Sequence, residues 1–314
     1  MAIAIVETAD PYVTKSREHS KQTLSVRFAT WITARYGDAG TMSQFKDEES
    51  AQQRPNQWDH STQDPFFEYY AGQSKSDETL VRFTTMRDLV LRALAKGATC
   101  LDVADLGCGA GTQSFVWAQL GHRLHSLDIS EKLILLGRER AREAGLNVDF
   151  RVGSVTELPW ADESMDVCLA VELLEHVADW RRCLDEFTRV LRPGGALFLT
   201  TTNALCPKQQ EFDLPMYSWY PAWAKRHYEH LARTTRPELV TYATYPAVSW
   251  FTFYGLRREL AKRGCYSWDR FDLTDESKKS SAKRAVLSAV RALPPVRLLA
   301  HMATPSTWIL AIRR

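Results

Sequence analysis

The chain lacks several features that mark particular classes of protein. No stretch approaches the ~18 apolar residues that a membrane span requires. The apolar start of the chain turns acidic after Val6, so no secretory signal is predicted. The six cysteines form no C-x-x-C pair, which argues against a zinc site or a disulfide framework. We therefore expect a cytoplasmic protein with reduced thiols.

Strong charge is also absent. The 314 residues carry 40 Lys and Arg against 38 Asp and Glu, a net charge of +2, which argues against a nucleic-acid partner. The segment 278–297 is a local exception, because it holds six Lys or Arg and no acid. A basic helix from Ala282 to Leu293 would contact an anionic membrane surface weakly or, as we favour, lie solvated on the domain.

Composition and patterning divide the chain into four parts. Residues 1–80 are a polar extension that ends in an N-terminal cap, and residues 81–202 alternate strand and helix patterns. Residues 203–253 are an aromatic-rich insertion: positions 212–254 hold 12 aromatics in 43 residues, against 11% in the whole chain. Residues 254–314 return to the core pattern and include the basic helix.

A glycine-rich loop follows the first predicted strand, Cys100 to Ala104. The strand leads into Asp105, and three glycines follow at alternate positions: Gly107, Gly109 and Gly111. A helix starts next, with Thr112 as its predicted N-cap. A dinucleotide fingerprint would read G-x-G-x-x-G. The observed spacing, with an acid beside the loop, instead suits a ligand that carries an ammonium or sulfonium charge.

Further motifs follow in a fixed order up to residue 202. The second predicted strand ends at Asp128, and an Leu-Pro-Trp turn starts at Leu158. Glu172-Leu173-Leu174-Glu175-His176 follows the fourth strand, and Leu191-Arg192-Pro193-Gly194-Gly195 precedes the fifth. Together with the glycine loop, these motifs resemble the class I S-adenosylmethionine-dependent methyltransferases, in particular the O-methyltransferase branch of ubiquinone biosynthesis.

The resemblance implies an α/β fold with a Rossmann-like seven-stranded sheet and helices on both faces. An N-terminal helical cap and the insertion after strand 5 are added to it. We predict a helix from Asp77, its N-cap, to Leu94. We also predict a fifth strand Ala196 to Thr200, a sixth Tyr266 to Leu273 and an antiparallel last strand Thr307 to Ile312.

The resemblance also implies S-adenosylmethionine as the cofactor. Asp128 would accept the two ribose hydroxyls, the alternative being an acid that only starts a helix. The family often has Gly-Asp after the third strand, and here Gly153-Ser154 weakens that adenine contact or leaves it to the backbone of Val155. The predicted cofactor-binding residues are Arg87, Asp105, Gly107, Cys108, Gly109, Gly111, Asp128, Ile129, Ser154, Val155 and Glu172.

Arg87 enters this set because its spacing from Asp105 is similar to that of a cofactor-binding arginine in the ubiquinone branch. Either Arg87 or Arg82 would pair with the methionine carboxylate. The alternative is that both are solvated arginines on a helix.

Glu172, Glu175 and His176 are the candidate catalytic residues. His176 would act as a general base, since its unperturbed pKa lies near neutrality. A bound Mg²⁺ held by the trio is an alternative that we do not favour. In the third alternative the residues only shape the pocket.

The expected activity is O-methylation of a small phenolic or sugar (glycan) acceptor. The aromatic insertion would hold the acceptor, or it would form a small accessory core with a basic face. N- or C-methylation and a non-catalytic methyltransferase-like subunit remain alternatives. The sequence gives no indication of the accepting atom or the oligomeric state.

Overall fold

The computed structural model describes residues 76–94, 100–209, 211–240, 247, 249–277 and 279–314, and for Arg233 only the backbone. Most of the predicted extension 1–80 therefore lies outside the described residues. The same holds for Tyr242 and Tyr245 of the insertion and for Lys278 of the basic segment. The predictions that rest on these residues stay predictions.

The described residues form one seven-stranded sheet with the order β3-β2-β1-β4-β5-β7-β6. The strands are β1 Asp102–Leu106, β2 Arg123–Asp128, β3 Val148–Val152, β4 Met165–Val171, β5 Leu191–Thr202, β6 Cys265–Asp269 and β7 Ser306–Arg313. Strands β1 to β5 pair in parallel, and β7 runs antiparallel to both β5 and β6. The predicted seven-stranded methyltransferase sheet is thus confirmed.

Nine α-helices flank this sheet in the described part of the chain. They are α1 Asp77–Leu94, α2 Thr112–Ala118, α3 Glu131–Glu143, α4 Trp180–Val190, α5 Ala222–Thr234, α6 Phe253–Lys262, α7 Arg270–Leu273, α8 Ser281–Ala292 and α9 Pro294–Met302. No helix among the described residues is long and apolar enough to cross a membrane.

Alternate strand residues cover the two faces of the sheet. Successive side chains of a strand point to opposite faces, and two separate buried clusters follow this rule. Ala104 and Leu106 lie in the cluster that contains α4 and α6. Val103 belongs to the cluster that contains α1 and Trp117 of α2. Helices therefore cover both faces, and the predicted helix 77–94 packs on the sheet.

The starts of several elements differ from the prediction. Ser76, not Asp77, caps α1, because its Oγ accepts the Thr79 N–H at 3.2 Å. Gly111 in the left-handed conformation precedes α2, so Thr112 is the first helical residue and not the N-cap. Strand β1 begins and ends two residues later than predicted. It therefore includes Asp105, whose side chain is buried.

Strands β5 and β6 also differ from the prediction. Strand β5 begins at Leu191, so the predicted Arg-Pro-Gly-Gly turn lies inside the strand. At this place the pairing of β5 with β4 is irregular, with a register shift between Met165 and Val167. Strand β6 ends at Asp269, because that carboxylate caps α7 by accepting the N–H groups of Phe271 and Asp272. The apolar periodicity of the sequence did not predict that β6 ends at Asp269. Helix α9 was not predicted.

The basic helix exists as α8, one residue earlier than predicted. Its Val290 is buried, and Arg291 donates to the carbonyls of Phe271, Asp272 and Thr274. The apolar side of α8 therefore faces the domain, and the choice between a solvated helix and a weak membrane contact stays a prediction.

Candidate functional site

The glycine loop is fastened to the end of β2. The N–H groups of Gly107 and Cys108 both donate to the carbonyl of Leu127, at 2.8 and 3.1 Å. The loop then turns into α2, and the Gly111 N–H donates to Cys108 O at 2.9 Å. The loop thus lies at the carboxyl edge of the sheet, between β1 and β2, where α/β proteins bind ligands.

The three glycines of the loop have different surroundings. All three have positive φ, from 54° to 83°. A Cβ on Gly107 would lie 2.8 Å from Leu173 Cδ1, and one on Gly111 would lie 2.5 Å from Phe150 Cζ. A Cβ on Gly109 would meet no described atom within 4 Å. Gly109 therefore faces an open space in which a ligand can lie against bare backbone.

Asp128 lies directly beside that open space. Its Oδ2 accepts the Gly109 N–H at 2.8 Å, and its Oδ1 accepts the Ser130 N–H at 2.8 Å. Asp128 thus also supports the start of α3, as the alternative interpretation proposed. Its predicted contact with the ribose diol of a cofactor stays a prediction. The neighbouring Ile129 is 48% exposed, which suits contact with a flat base.

Asp105 lies beneath the loop rather than on its open side. Its carboxyl is buried, and Ser114 Oγ of α2 donates to its Oδ2 at 2.5 Å. Burial, and next the charge of Asp128, raises the pKa of Asp105 to about 7, although the Ser114 hydrogen bond opposes this shift. The Cys108 thiol is also buried, and burial raises its pKa. Asp105 therefore fixes α2 against β1, and its predicted contact with a cofactor stays a prediction.

Two other predicted cofactor residues are engaged within the protein. The Arg87 guanidinium donates to Val116 O at 3.1 Å and pairs with Asp88 at 2.8 Å, which ties α1 to α2. Ser154 Oγ lies 2.7 Å from Thr156 Oγ1 at the surface, whereas Val155 is buried. Their contacts with a cofactor stay predictions.

The Glu172–His176 segment follows β4 on the same edge of the sheet. Glu172 has φ of 51°, a conformation that a non-glycine residue rarely adopts. Thr200 Oγ1 donates to Glu172 Oε1 at 2.6 Å, and the Glu172 N–H donates to Thr200 O. Strand β5 therefore holds Glu172 in this conformation.

Glu175 is fully buried in the same segment. Thr201 Oγ1 donates to its Oε2 at 2.7 Å, while its Oε1 has no hydrogen-bond partner among the described residues. Burial, followed by the charge of Glu172, raises the pKa of Glu175 well above its ordinary value. Burial therefore disfavours the charged form of Glu175, which argues against this residue as the base. His176 is half-buried at the end of the short 3₁₀ turn Leu174–His176.

Two different threonines of β5 hold the two glutamates. Thr200 and Thr201 are successive residues of β5, whose side chains point to opposite faces of the sheet, and each holds a different glutamate. Within the described part of the chain, no group of three or more His, Cys, Asp or Glu side chains is placed to hold a metal ion. The Mg²⁺ alternative therefore gains no support.

The insertion contacts this segment from the side of β5. The Ser249 N–H donates to Glu175 O at 3.1 Å, and Ser249 O accepts Thr202 Oγ1 at 3.0 Å. Many insertion aromatics instead pack on each other: Phe212 stacks on Tyr217 with centroids 4.0 Å apart, and Tyr220 and Tyr228 join the same cluster. A small accessory core is therefore present, while part of the insertion also reaches the candidate catalytic residues.

Sequence reasoning missed the residues that hold the site together. These are the hydroxyl partners Ser114, Thr200 and Thr201 and the packing partners Leu173 and Phe150. Three consecutive threonines at the end of an apolar strand were a usable signal, because buried hydroxyls need acceptors. The sequence contains no comparable signal for the packing of Leu173 and Phe150 against the glycine loop.

Comparisons with known proteins agree with this arrangement. Residues 104–199 match the family described as a methyltransferase domain. A protein named ubiquinone biosynthesis O-methyltransferase from Parvibaculum lavamentivorans is 41% identical over 99 residues, which cover 32% of this chain and 39% of the relative. A protein of the same name from Caulobacter vibrioides is 37% identical over 128 residues, 40% of this chain and 49% of the relative.

The chain thus spans about two fifths to one half of the length of these curated relatives. A solved structure of a putative sarcosine dimethylglycine methyltransferase from Galdieria sulphuraria is 18% identical, with a TM-score of 0.48, and covers 76% of this chain and 87% of that one. The family match and the motifs fall on the described loop, strands and helices. Residues 104–199 accordingly match a methyltransferase domain, and over that domain the predicted resemblance to the class I S-adenosylmethionine-dependent methyltransferases is confirmed.

Proposed function

We propose that this protein transfers a methyl group from S-adenosylmethionine to a hydroxyl of a small acceptor, phenolic or sugar-like. The observation that carries the proposal is the open Gly109 beside Asp128, with His176 on the same edge of the sheet. The names of the relatives, O-methyltransferases of ubiquinone biosynthesis, favour a hydroxyl acceptor.

The residues present fit the cofactor. The bare backbone at Gly109 accommodates the close approach of a ligand, the Asp128 carboxylate lies beside it to meet the ribose, and exposed Ile129 offers an apolar surface for the adenine. When bound, S-adenosylmethionine supplies a methyl group activated by a sulfonium. Carboxyl groups beside the loop favour such a cationic ligand.

The protein's own residues position and deprotonate the acceptor. His176 takes the proton of the acceptor hydroxyl at an imidazole nitrogen, a role for which the buried Glu175 is less suited. Glu172, fixed by Thr200, orients the acceptor or the imidazole through a charge-assisted hydrogen bond. The insertion, attached through Ser249, excludes water from the reacting groups.

The test is a methyl-transfer assay with the full chain and methyl-labelled S-adenosylmethionine. Panels of phenols, hydroxy acids and sugars are compared with amines, with and without Mg²⁺. Label transfer to a hydroxyl without need of Mg²⁺ supports the proposal. Transfer only to nitrogen or carbon would replace it with the alternative enzyme class, and cofactor binding without transfer to any acceptor would favour a non-catalytic subunit.

A further inference from the structure

Lys225 is a cation held inside the insertion. It lies on α5, and its Nζ is 4.6 Å from the centre of the Trp250 ring and 5.8 Å from that of Tyr217. Its Nζ donates to Ser218 O at 2.9 Å. Arg226, His227 and His230 of the same helix are exposed, so Lys225 differs from the solvated basic face that the sequence suggested.

The hydrogen-bonding capacity of this cation is not filled by the described residues. An ammonium has three N–H donors, and Lys225 donates one to a backbone carbonyl in the described part of the chain, while the ring faces offer only partial negative charge. The Trp250 Nε1 is a second buried donor without a described acceptor. Among the described residues, two N–H groups of the Lys225 ammonium and the indole N–H of Trp250 therefore have no acceptor.

The pKa of Lys225 gives further support for a cation without a close carboxylate among the described residues. Burial lowers its pKa to about 8, although the charge of Glu229 on the same helix opposes this shift. An ammonium that had a close carboxylate partner would show the opposite shift. Among the described residues, Lys225 therefore feels the charge of Glu229 but forms no salt bridge.

Trp250 places this cation beside the candidate catalytic segment. It follows Ser249, whose N–H and carbonyl bond to Glu175 and Thr202. Nearby, Glu211 accepts the Ala247 N–H at 3.0 Å, and its charge contributes to the raised pKa of Glu175. The backbone beside Trp250 is therefore bonded to the Glu172–His176 segment, which places Lys225 on the side of this segment that the insertion contacts.

We propose that Lys225 and the Trp250 Nε1 form a subsite for a carboxylate of the methyl acceptor. The acceptor would then be a hydroxylated carboxylic acid rather than a neutral phenol or sugar. A carboxylate has two oxygens, one for the ammonium and one for the indole N–H, and charge assistance strengthens both bonds. The role as acceptor rests on the proposed function, whereas carboxylate binding at Lys225 does not require methyl transfer.

Calorimetric titration of the full chain with 4-hydroxybenzoate and with phenol tests the subsite directly. We expect the wild type to bind 4-hydroxybenzoate at least about tenfold more tightly than phenol, the difference expected of one charge-assisted pair. Lys225→Met should abolish this preference. Lys262→Met is the matched control, because Lys262 pairs with Glu259 on the exposed side of α6, and it should keep the preference. Equal affinities in the wild type, or a preference that survives in Lys225→Met, would overturn the subsite.

Two further measurements keep the test decisive, because Lys225 also packs on aromatic rings. Trp250→Phe keeps a ring and removes the N–H donor, so it should weaken 4-hydroxybenzoate binding several-fold and leave phenol unaffected. In the unmutated protein, NMR of the lysine amines should show the Lys225 pKa rising when 4-hydroxybenzoate is added. If the Lys225 pKa does not change in protein saturated with 4-hydroxybenzoate, the proposal is contradicted. It is also contradicted if inorganic phosphate competes with 4-hydroxybenzoate as well as benzoate does.

The subsite and the proposed function fail in different ways. If 4-hydroxybenzoate binds through Lys225 but no hydroxy acid is methylated, the subsite stands and the O-methyltransferase proposal fails. If phenols and sugars are methylated as well as hydroxy acids, the proposed function stands and the carboxylate subsite fails.

Discussion

The carboxylates at the two edges of the sheet have pKa values shifted in opposite directions, and two residues of β1 show the contrast. Asp102 begins the strand at the amino edge, and Asp105 lies near its end at the carboxyl edge. The pKa of Asp102 is lowered to about 2, whereas that of Asp105 is raised to about 7. The difference follows from the partners of each carboxylate.

Arginines neutralise the acids of the amino edge. Arg123 donates to both oxygens of Asp102, at 2.6 and 2.7 Å, and these hydrogen bonds are the main cause of its lowered pKa. Arg192 donates to Asp102 at 3.0 Å and to Asp166 at 2.8 Å. The starts of β1, β2, β4 and β5 are joined by this network, which stabilises the sheet.

Hydroxyl groups hold the acids of the carboxyl edge. Ser114, Thr200 and Thr201 donate to Asp105, Glu172 and Glu175, and for Asp105 and Glu175 these neutral donors do not offset the burial that raises the pKa. A cation bound at that edge would favour the charged forms of these acids. The comparison teaches that one edge of the sheet is built for stability and the other for binding a positively charged ligand.

Removal of the proposed base gives the largest expected effect. His176→Ala should lower turnover by about 10² to 10⁴ and leave S-adenosylmethionine affinity within about twofold, because the imidazole acts on the acceptor. Single-turnover assays and calorimetry on the same variant measure the two quantities. Unchanged turnover would reduce His176 to a residue that shapes the pocket.

The glycine loop allows stability and binding to be separated. Gly111→Ala adds backbone strain at φ 83° and a clash with Phe150, so we expect a loss of about 2 to 4 kcal/mol in unfolding free energy. Gly109→Ala adds only the strain, about 1 to 2 kcal/mol, but places a methyl in the open space. Denaturant unfolding and cofactor titration should rank the two variants in opposite order. The same ranking in both assays would contradict the assignment of the open space.

Disruption of the amino edge should affect stability alone. Arg192→Met removes hydrogen bonds to two buried carboxylates, and since Arg192 is partly exposed we expect a loss of about 1 to 2 kcal/mol. Cofactor affinity should not change. Urea unfolding gives the first quantity, and a variant that binds the cofactor less well would show that the two edges are coupled.

The pH dependence of stability gives the smallest effect. The pKa of Asp105 is higher in the folded than in the unfolded state. Its contribution to the unfolding free energy is therefore fully present below pH ~4 and is lost as pH rises through about 7. The loss is no more than ~1.4 kcal/mol per pH unit. Asp105→Asn stays neutral, so its stability relative to the wild type should rise between pH 5 and 7. Asp102 should contribute no slope there, because its lowered pKa matters only below pH 4. Parallel stability profiles of Asp105→Asn and the wild type would contradict the raised pKa.

The sequence predicted the fold better than the site. Glycine spacing, strand patterns and the turn motifs are local, so the seven strands and most helices follow from them. The stop of β6 at Asp269 depends on a capping carboxylate that an apolar pattern hides. The opposite tethering of Glu172 and Glu175 depends on Thr200 and Thr201, more than 20 residues away in the chain, and no spacing rule reveals such a partner.

The insertion shows a different limit of sequence reasoning. Its aromatic content indicated either an acceptor pocket or an accessory core, and the structure uses Phe212 and Tyr217 for a core while Trp250 lies against Lys225. Composition gives the number of aromatic rings. Only the packing shows which of them have a role beyond the core.

Calorimetric titration of S-adenosylmethionine into the wild type, Asp128→Ala and Arg192→Met tests the contrast between the edges most directly. Asp128→Ala should weaken binding by about 1 to 3 kcal/mol through lost charge-assisted hydrogen bonds, and Arg192→Met should bind like the wild type. Wild-type affinity in Asp128→Ala, or an equal loss in both variants, would contradict the account that the carboxyl edge, and not the amino edge, binds the cofactor.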